Sequence, residues 1–235
     1  MKSSLIKRVA AEFLGTAFLV GAVVGSGIMA ERLSSGNVAL ALLANTIATG
    51  AALVALILAF GSISGAHLNP LVSVADAIKG GLAWRETPIY MVAQVLGGVA
   101  GTILAHGMFT LPLVSFSRHA RSGPAQILSE FVASFGLLCI IRGCSRSRPN
   151  AVPFAVGSYI TAAYWFTAST SFANPAVTIA RSLSDTFAGI RPADVVPFVV
   201  AQFAGGLAAA FLFRWLLADL RSSSKDVVLV QEATD

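Results

Sequence analysis

Long apolar blocks alternate with short polar joints along this chain. Residues 9–30, 38–60, 88–109, 127–141, 152–166 and 195–217 carry almost no charge. A helix needs about 20 apolar residues to cross the hydrocarbon core of a bilayer, so the blocks predict an all-α membrane protein with six transmembrane helices, the fourth and fifth short. The first block follows a basic lead, as a signal peptide would. It is longer than a signal h-region, contains Glu12 and ends without a small-x-small site, so it is expected to stay as the first helix. Two further apolar stretches, 71–78 and 177–183, are too short to span, and both stand just behind an Asn-Pro pair.

The pattern is duplicated. Ala11-Glu12-Phe13 returns as Ser129-Glu130-Phe131, Asn69-Pro70-Leu71-Val72 as Asn174-Pro175-Ala176-Val177, and Val92-Ala93-Gln94 before Gly97-Gly98 as Val200-Ala201-Gln202 before Gly205-Gly206. Each half therefore reads Glu, Asn-Pro, then Gln with paired glycines. With three spans per half, the second half enters the membrane from the opposite side, so the repeats are expected to be inverted, over residues 1–115 and 116–220, with a cytoplasmic tail at 221–235. The paired glycines, with Gly101, allow close helix crossing; no strand-turn-helix context makes them a nucleotide loop.

Asparagine is among the best helix N-caps and proline suits the first helical position. Asn69 and Asn174 are thus expected to open two re-entrant half-helices. Irregular backbone at membrane depth survives only where it is buried in protein or lines a wet cavity. The lead-in loops 62–68 and 169–173 should then follow a solute path, with backbone carbonyls as acceptors and the two asparagine amides as donors. Two helix N-termini meeting head to head repel cations and protons, and neutral hydroxylated molecules are not repelled. One Asn-Pro alone would be a common turn; two at equivalent points of a duplication are specific.

Composition agrees: 56% of residues are apolar, 11% charged, and mean hydropathy is +0.78. The net charge of +5 comes from Lys and Arg at span ends, so it reports topology rather than nucleic-acid binding. With both termini inside, eleven basic residues (Lys2, Lys7, Arg8, Lys79, Arg85, Arg142, Arg146, Arg148, Arg214, Arg221, Lys225) are cytoplasmic against five outside (Arg32, Arg118, Arg121, Arg181, Arg191), as the positive-inside rule prefers. Arg118 and Arg121 run against that rule. Cys139 and Cys144 suggest neither a disulfide framework nor a metal site. His106 and His119 lack a ligand set, and no nucleophile, base and orienting group stand together. Neither an enzyme, a cofactor nor a bound metal is expected.

From residue 11 to residue 217 the sequence resembles the major intrinsic proteins, the aquaporins and aquaglyceroporins. The resemblance rests on Ala11-Glu12-Phe13-Leu14-Gly15-Thr16, Ser64-Gly65-Ala66-His67-Leu68-Asn69-Pro70, Gln94 with Gly97-Gly98, and Phe172-Ala173-Asn174-Pro175-Ala176. It implies six helices with two half-helices, one pore per subunit, a homotetramer in the inner (plasma) membrane, and glutamates, here Glu12 and Glu130, that brace the re-entrant loops; His67 would line or brace the pore or sense pH. Two departures stand out. Leu71 replaces an alanine and is expected to add bulk near the middle of the pore. Val177 stands where the family typically has its filter arginine; the other filter positions carry over to Thr49, Ala162 and Ser171. Such a filter has neither charge nor aromatic ring, which implies a wide gate.

The set resembles rhizobial-type aquaglyceroporins associated with arsenic handling, with undissociated arsenous acid, a neutral triol, in the implied cargo beside glycerol-like polyols and water. Arg181, one turn beyond Val177, either reaches back toward the gate from the vestibule or pairs with Asp185 at i, i+4, the plainer reading. The competing functions are a water-selective aquaporin and a coupled secondary transporter working through Glu12 or Glu130.

Overall fold

The computed structural model describes residues 3–216. Lys2, Arg221 and Lys225 of the charge count, Leu217, and the tail at 221–235 lie outside the described residues. The helices are α1 (Leu5–Leu33), α2 (Val38–Ser64), α3 (Pro70–Lys79), α4 (Thr87–Met108), α5 (Pro124–Ser147), α6 (Val152–Phe166), α7 (Pro175–Arg181) and α8 (Pro192–Leu216). A single 3₁₀ turn, Pro149–Ala151, precedes α6, and no strand occurs among the described residues. Five helices, α1, α2, α4, α5 and α8, are long and apolar enough to cross a membrane. The sixth, α6, has 15 residues, or about 22 Å of helix, and packs between α2 and α5.

The short α3 and α7 are the expected half-helices, each begun by Asn-Pro. Asn69 Oδ1 accepts from the Leu71 amide at 2.9 Å, and Asn174 Oδ1 from the Ala176 and Val177 amides at 3.0 and 3.3 Å. The first lead-in loop is shorter than expected. α2 runs on through Ser64 and stops at Gly65, whose φ of +92° is a left-handed cap that glycine adopts at little cost.

α1 packs against α4 as α5 packs against α8, with α2 and α6 meeting between the two pairs. The glycines fix the spacing. A Cβ built on Gly97 would sit 2.2 Å from the Phe13 carbonyl oxygen, one on Gly101 2.2 Å from that of Ala17, and one on Gly205 2.2 Å from that of Phe131. Helix backbones are in contact here, as small-residue crossings in membranes permit.

Burial is turned inside out relative to a water-soluble protein. Phe18, Ile47, Val92, Val200 and Phe211 are each more than half exposed, whereas Glu12, Gln94, Glu130 and Gln202 are fully buried. In water so much exposed apolar surface would be unfavourable; a bilayer or a sister subunit covers it without penalty. All three tryptophans, Trp84, Trp165 and Trp215, are exposed at or near helix ends, where indoles meet the headgroup layer.

Candidate functional site

The two lead-in loops have the same backbone. Ala66 and Leu68 before Asn69, and Ser171 and Ala173 before Asn174, all lie at φ between 45° and 49°, a left-handed conformation that disfavours residues with a side chain by about 1–2 kcal/mol each. Each loop is held there by one glutamate. Glu12 Oε1 accepts from Ser64 Oγ (2.6 Å) and the His67 amide (2.9 Å), and its Oε2 from the Leu68 amide (2.7 Å) and Gln94 Nε2 (2.8 Å). Glu130 accepts from the Phe172 and Ala173 amides, both at 2.9 Å, and from Gln202 Nε2 at 2.6 Å.

Each glutamine also donates to a hydroxyl four residues beyond the asparagine, Gln94 to Ser73 Oγ (2.9 Å) and Gln202 to Thr178 Oγ1 (2.8 Å). Sequence reasoning used Gln94 and Gln202 only as landmarks and missed Ser73 and Thr178. Their recurrence at equal distance from Asn-Pro was the available signal.

The half-helices meet through their caps. Asn69 Nδ2 donates to the Ala173 carbonyl and Asn174 Nδ2 to the Leu68 carbonyl, both at 2.8 Å. Each amide keeps a second N–H, and both asparagines line a cavity of about 340 Å³. That cavity takes its polar edge from the loops, Gly65 to Asn69 and Ser171 to Asn174, and its apolar wall from residues such as Leu53, Ile57, Val156 and Ile160. One end holds Asp76, Lys79 and Arg142; the other holds Thr49, Tyr164, Val177 and Arg181. His67 lines the cavity too, with Nδ1 3.1 Å from Ser73 Oγ and Nε2 3.6 Å from Asp76 Oδ2.

Of the residues predicted for the filter, Thr49, Ser171 and Val177 come together on this wall. Ala162 does not. It is exposed on the outer face of α6, while Val156, Ile160 and Tyr164, at the four-residue spacing of one helix face, turn inward. An ungapped count from Asn174 fixes a residue's distance along the chain but not the rotation of its helix. The residue it missed is Tyr164, whose hydroxyl lies 3.3 Å from Thr49 Oγ1, so the cavity does contain an aromatic ring.

Leu71 is the second correction. Its side chain is fully buried among α5, α6 and α8 residues and does not line the cavity. It fills the space left by Gly206, where a Cβ would come within 2.4 Å of Leu71 Cδ1. Leu71→Ala is therefore expected to cost about 2–5 kcal/mol of stability, as core truncations do, with solute permeability unchanged. Thermal unfolding and glycerol uptake measured on the same sample check this; higher permeability at unchanged stability would put Leu71 in the path after all.

Arg181 is the third. It does not pair with Asp185, which instead takes Arg118: the Arg118 amide donates to Oδ1 at 2.8 Å and its Nε lies 3.4 Å from Oδ2. Arg181 is 1% exposed, donates through Nε to the Ala188 carbonyl, and lays its guanidinium over the Phe172 ring, 3.4 Å from the centroid. Of the two readings of Arg181, the pair with Asp185 is not formed, and the side chain lies on the cavity wall near the expected filter residues. Arg121, also buried, approaches the same ring at 5.0 Å and donates to the Gly189 and Ser169 carbonyls at 2.8 and 3.2 Å. Burial pulls its guanidinium down to about 10, which still leaves it charged at neutral pH. His106 joins two loops, with Nε2 2.8 Å from Ser184 Oγ and Nδ1 2.7 Å from the Pro112 carbonyl.

Comparison with known proteins follows the same lines. Residues 1–171 match the family described as Major intrinsic protein. The chain is 57% identical to aquaglyceroporin AqpS of Rhizobium meliloti (strain 1021), over 92% of this chain and 93% of that one. It is 31% identical to aquaporin NIP1-4 of Oryza sativa subsp. japonica, over 91% of this chain and 78% of that one. Among solved structures, the aquaglyceroporin from Plasmodium falciparum superposes with a TM-score of 0.71 at 23% identity, covering 95% of this chain and 100% of that one; at that identity the likeness is one of fold.

Proposed function

The chain belongs to the major intrinsic protein family, whose members are channels and not enzymes, and from that premise we propose that it passes glycerol-like polyols, undissociated arsenous acid, related metalloid hydroxides and water down their gradients. The observation that carries this is the cavity itself: one apolar wall, one edge of loop carbonyls, and the Asn69 and Asn174 amides between them. A neutral polyol has an apolar carbon side and a hydroxyl side, and it exchanges water for the polar edge without leaving charge uncompensated. Val177, rather than a long cationic side chain, at the first turn of α7 leaves that end wide. In this reading Asn69-Pro70-Leu71 and Asn174-Pro175-Ala176 set the half-helices, Thr49, Ser171 and Val177 form the filter with Tyr164 in place of Ala162, and Glu12, Glu130 and His67 brace the loops.

The two halves, 1–115 and 116–220, are inverted repeats; both termini are cytoplasmic, and four copies assemble in the inner membrane. A coupled transporter gains nothing from this arrangement, because Glu12 and Glu130 lie outside the cavity lining with both oxygens taken by structural donors. A water-selective channel draws some support from Tyr164 and Arg181 on the wall.

Swelling of proteoliposomes in gradients of water, glycerol and arsenous acid separates these readings. The parent is expected to pass all three. Val177→Arg is expected to cut glycerol flux about tenfold, a barrier rise of about 1.4 kcal/mol, while sparing water. A parent that passes water alone makes the water-selective reading the right one, and a parent that conducts nothing withdraws the channel assignment.

A further inference from the structure

We infer that Asp76 forms a solute-binding station of its own, at the end of the cavity away from Val177, for neutral solutes that carry two neighbouring hydroxyls. The inference rests on the channel reading and adds to it a site on the first half-helix. Asn69, Val72, Asp76 and Lys79 follow one another along α3 at steps of three, four and three residues, so they share one helix face. All four line the cavity.

The Asp76 carboxylate is given room and left unpaired by the basic residues around it. A Cβ built on Gly81 would stand 2.4 Å from both carboxylate oxygens, so only glycine there lets them lie where they do. Arg142, at the same end, gives its Nη2 to the Ala75 carbonyl at 2.6 Å. Among the described residues Asp76 pairs with neither Arg142 nor Lys79, and its one charged approach is to His67 Nε2 at 3.6 Å. Asp76 also lines a second cavity, of about 400 Å³, which shares Gly65 and His67 with the first and has polar walls from Ser3, Ser62 and Arg8. The carboxylate thus stands between two cavities and is reached from both.

Its chemistry selects the ligand. An ionised carboxylate offers two acceptor oxygens and no donor. Hydroxyls on adjacent carbons of a polyol, or two of the three hydroxyls of arsenous acid, meet both oxygens at once. Hydrogen bonds to a charged acceptor are roughly twice as strong as neutral ones, whereas a solute with a single hydroxyl makes only one of them.

The test is uptake of labelled glycerol into proteoliposomes of the full chain over a range of glycerol concentrations. Uptake by the parent is expected to saturate. Asp76→Asn keeps the size but turns one acceptor into a donor, and is expected to raise the half-saturating concentration about tenfold, as loss of a hydrogen bond to a charged group does. Gly81→Ala retains the carboxylate but pushes it aside, so it is expected to shift half-saturation in the same direction; it also decides the matter should Asp76→Asn fail to fold. The two substitutions together are expected to do no more than Asp76→Asn alone, because both act through one group. A parent whose uptake does not saturate, variants with the parent's half-saturating concentration, or shifts that simply add overturn the inference. A parent that takes up no glycerol fails the channel reading instead.

Discussion

Glu12→Ala is expected to abolish solute flux and to cost the protein most of its stability. The carboxylate takes four donors: a serine hydroxyl, two successive amides of the first lead-in loop, and a glutamine. Three of the four have no water to turn to, because the Ser64 hydroxyl, the Leu68 amide and Gln94 are buried; the His67 amide is only partly so. A buried donor left unmade costs about 1–3 kcal/mol, so even with partial relaxation the loss is about 4 kcal/mol or more, against a usual total of about 5–15 kcal/mol. The loop has a further reason to let go, since Ala66 and Leu68 hold left-handed conformations that they leave once the amides are released. Glu12→Gln puts a donor where donors already point and is expected to recover only part of the loss. Thermal unfolding in detergent with glycerol uptake reports both effects; a Glu12→Ala protein that melts and conducts like the parent would show that the loop holds itself.

The second large effect is expected at the helix crossings. Gly97→Val and Gly205→Val place a branched side chain where a single Cβ would already stand 2.2 Å from a carbonyl oxygen of the facing helix. A backbone oxygen cannot rotate aside as a side chain can, so α1 and α4, or α5 and α8, have to part. Overpacking of a well-packed interface costs about 1–3 kcal/mol, sometimes more. Here the whole half-helix assembly is hung between those pairs, because Gln94 and Gln202 hold the half-helices from α4 and α8. Gly107→Ala is the control: its nearest atom, Leu113 Cδ2, is 3.8 Å from a built Cβ, and little change is expected. Yield of monodisperse protein and unfolding temperature read the result. If both valine variants behave like Gly107→Ala, close crossing is not what assembles the bundle.

The sequence by itself determined the solvent, the helices and the duplication. Apolar blocks of membrane length, Asn-Pro pairs with their capping chemistry, and a recurring Glu, Asn-Pro, Gln order are local or one-dimensional signals. They predicted α1 to α8 with end errors of up to six residues: the fourth span, expected short over 127–141, is the full-length α5, Pro124–Ser147, and α2 runs on to Ser64. The pairing of Glu12 with one loop and Glu130 with the other came from the resemblance, and their hydrogen bonds have the geometry that bracing requires.

What only the tertiary structure decided is which way side chains face. In a membrane helix the outside is as apolar as the inside, so periodicity does not mark the inner face, and rotation about the axis is set by packing against neighbours. That is why an ungapped count points to Ala162 where Tyr164 faces inward, why the motif puts Leu71 near the path although Gly206 makes room for it elsewhere, and why i, i+4 spacing favours Asp185 as the partner of Arg181. Asp185 lies one turn away along the chain, but the fold hands it to Arg118 from the loop before α5 and leaves Arg181 on the cavity wall.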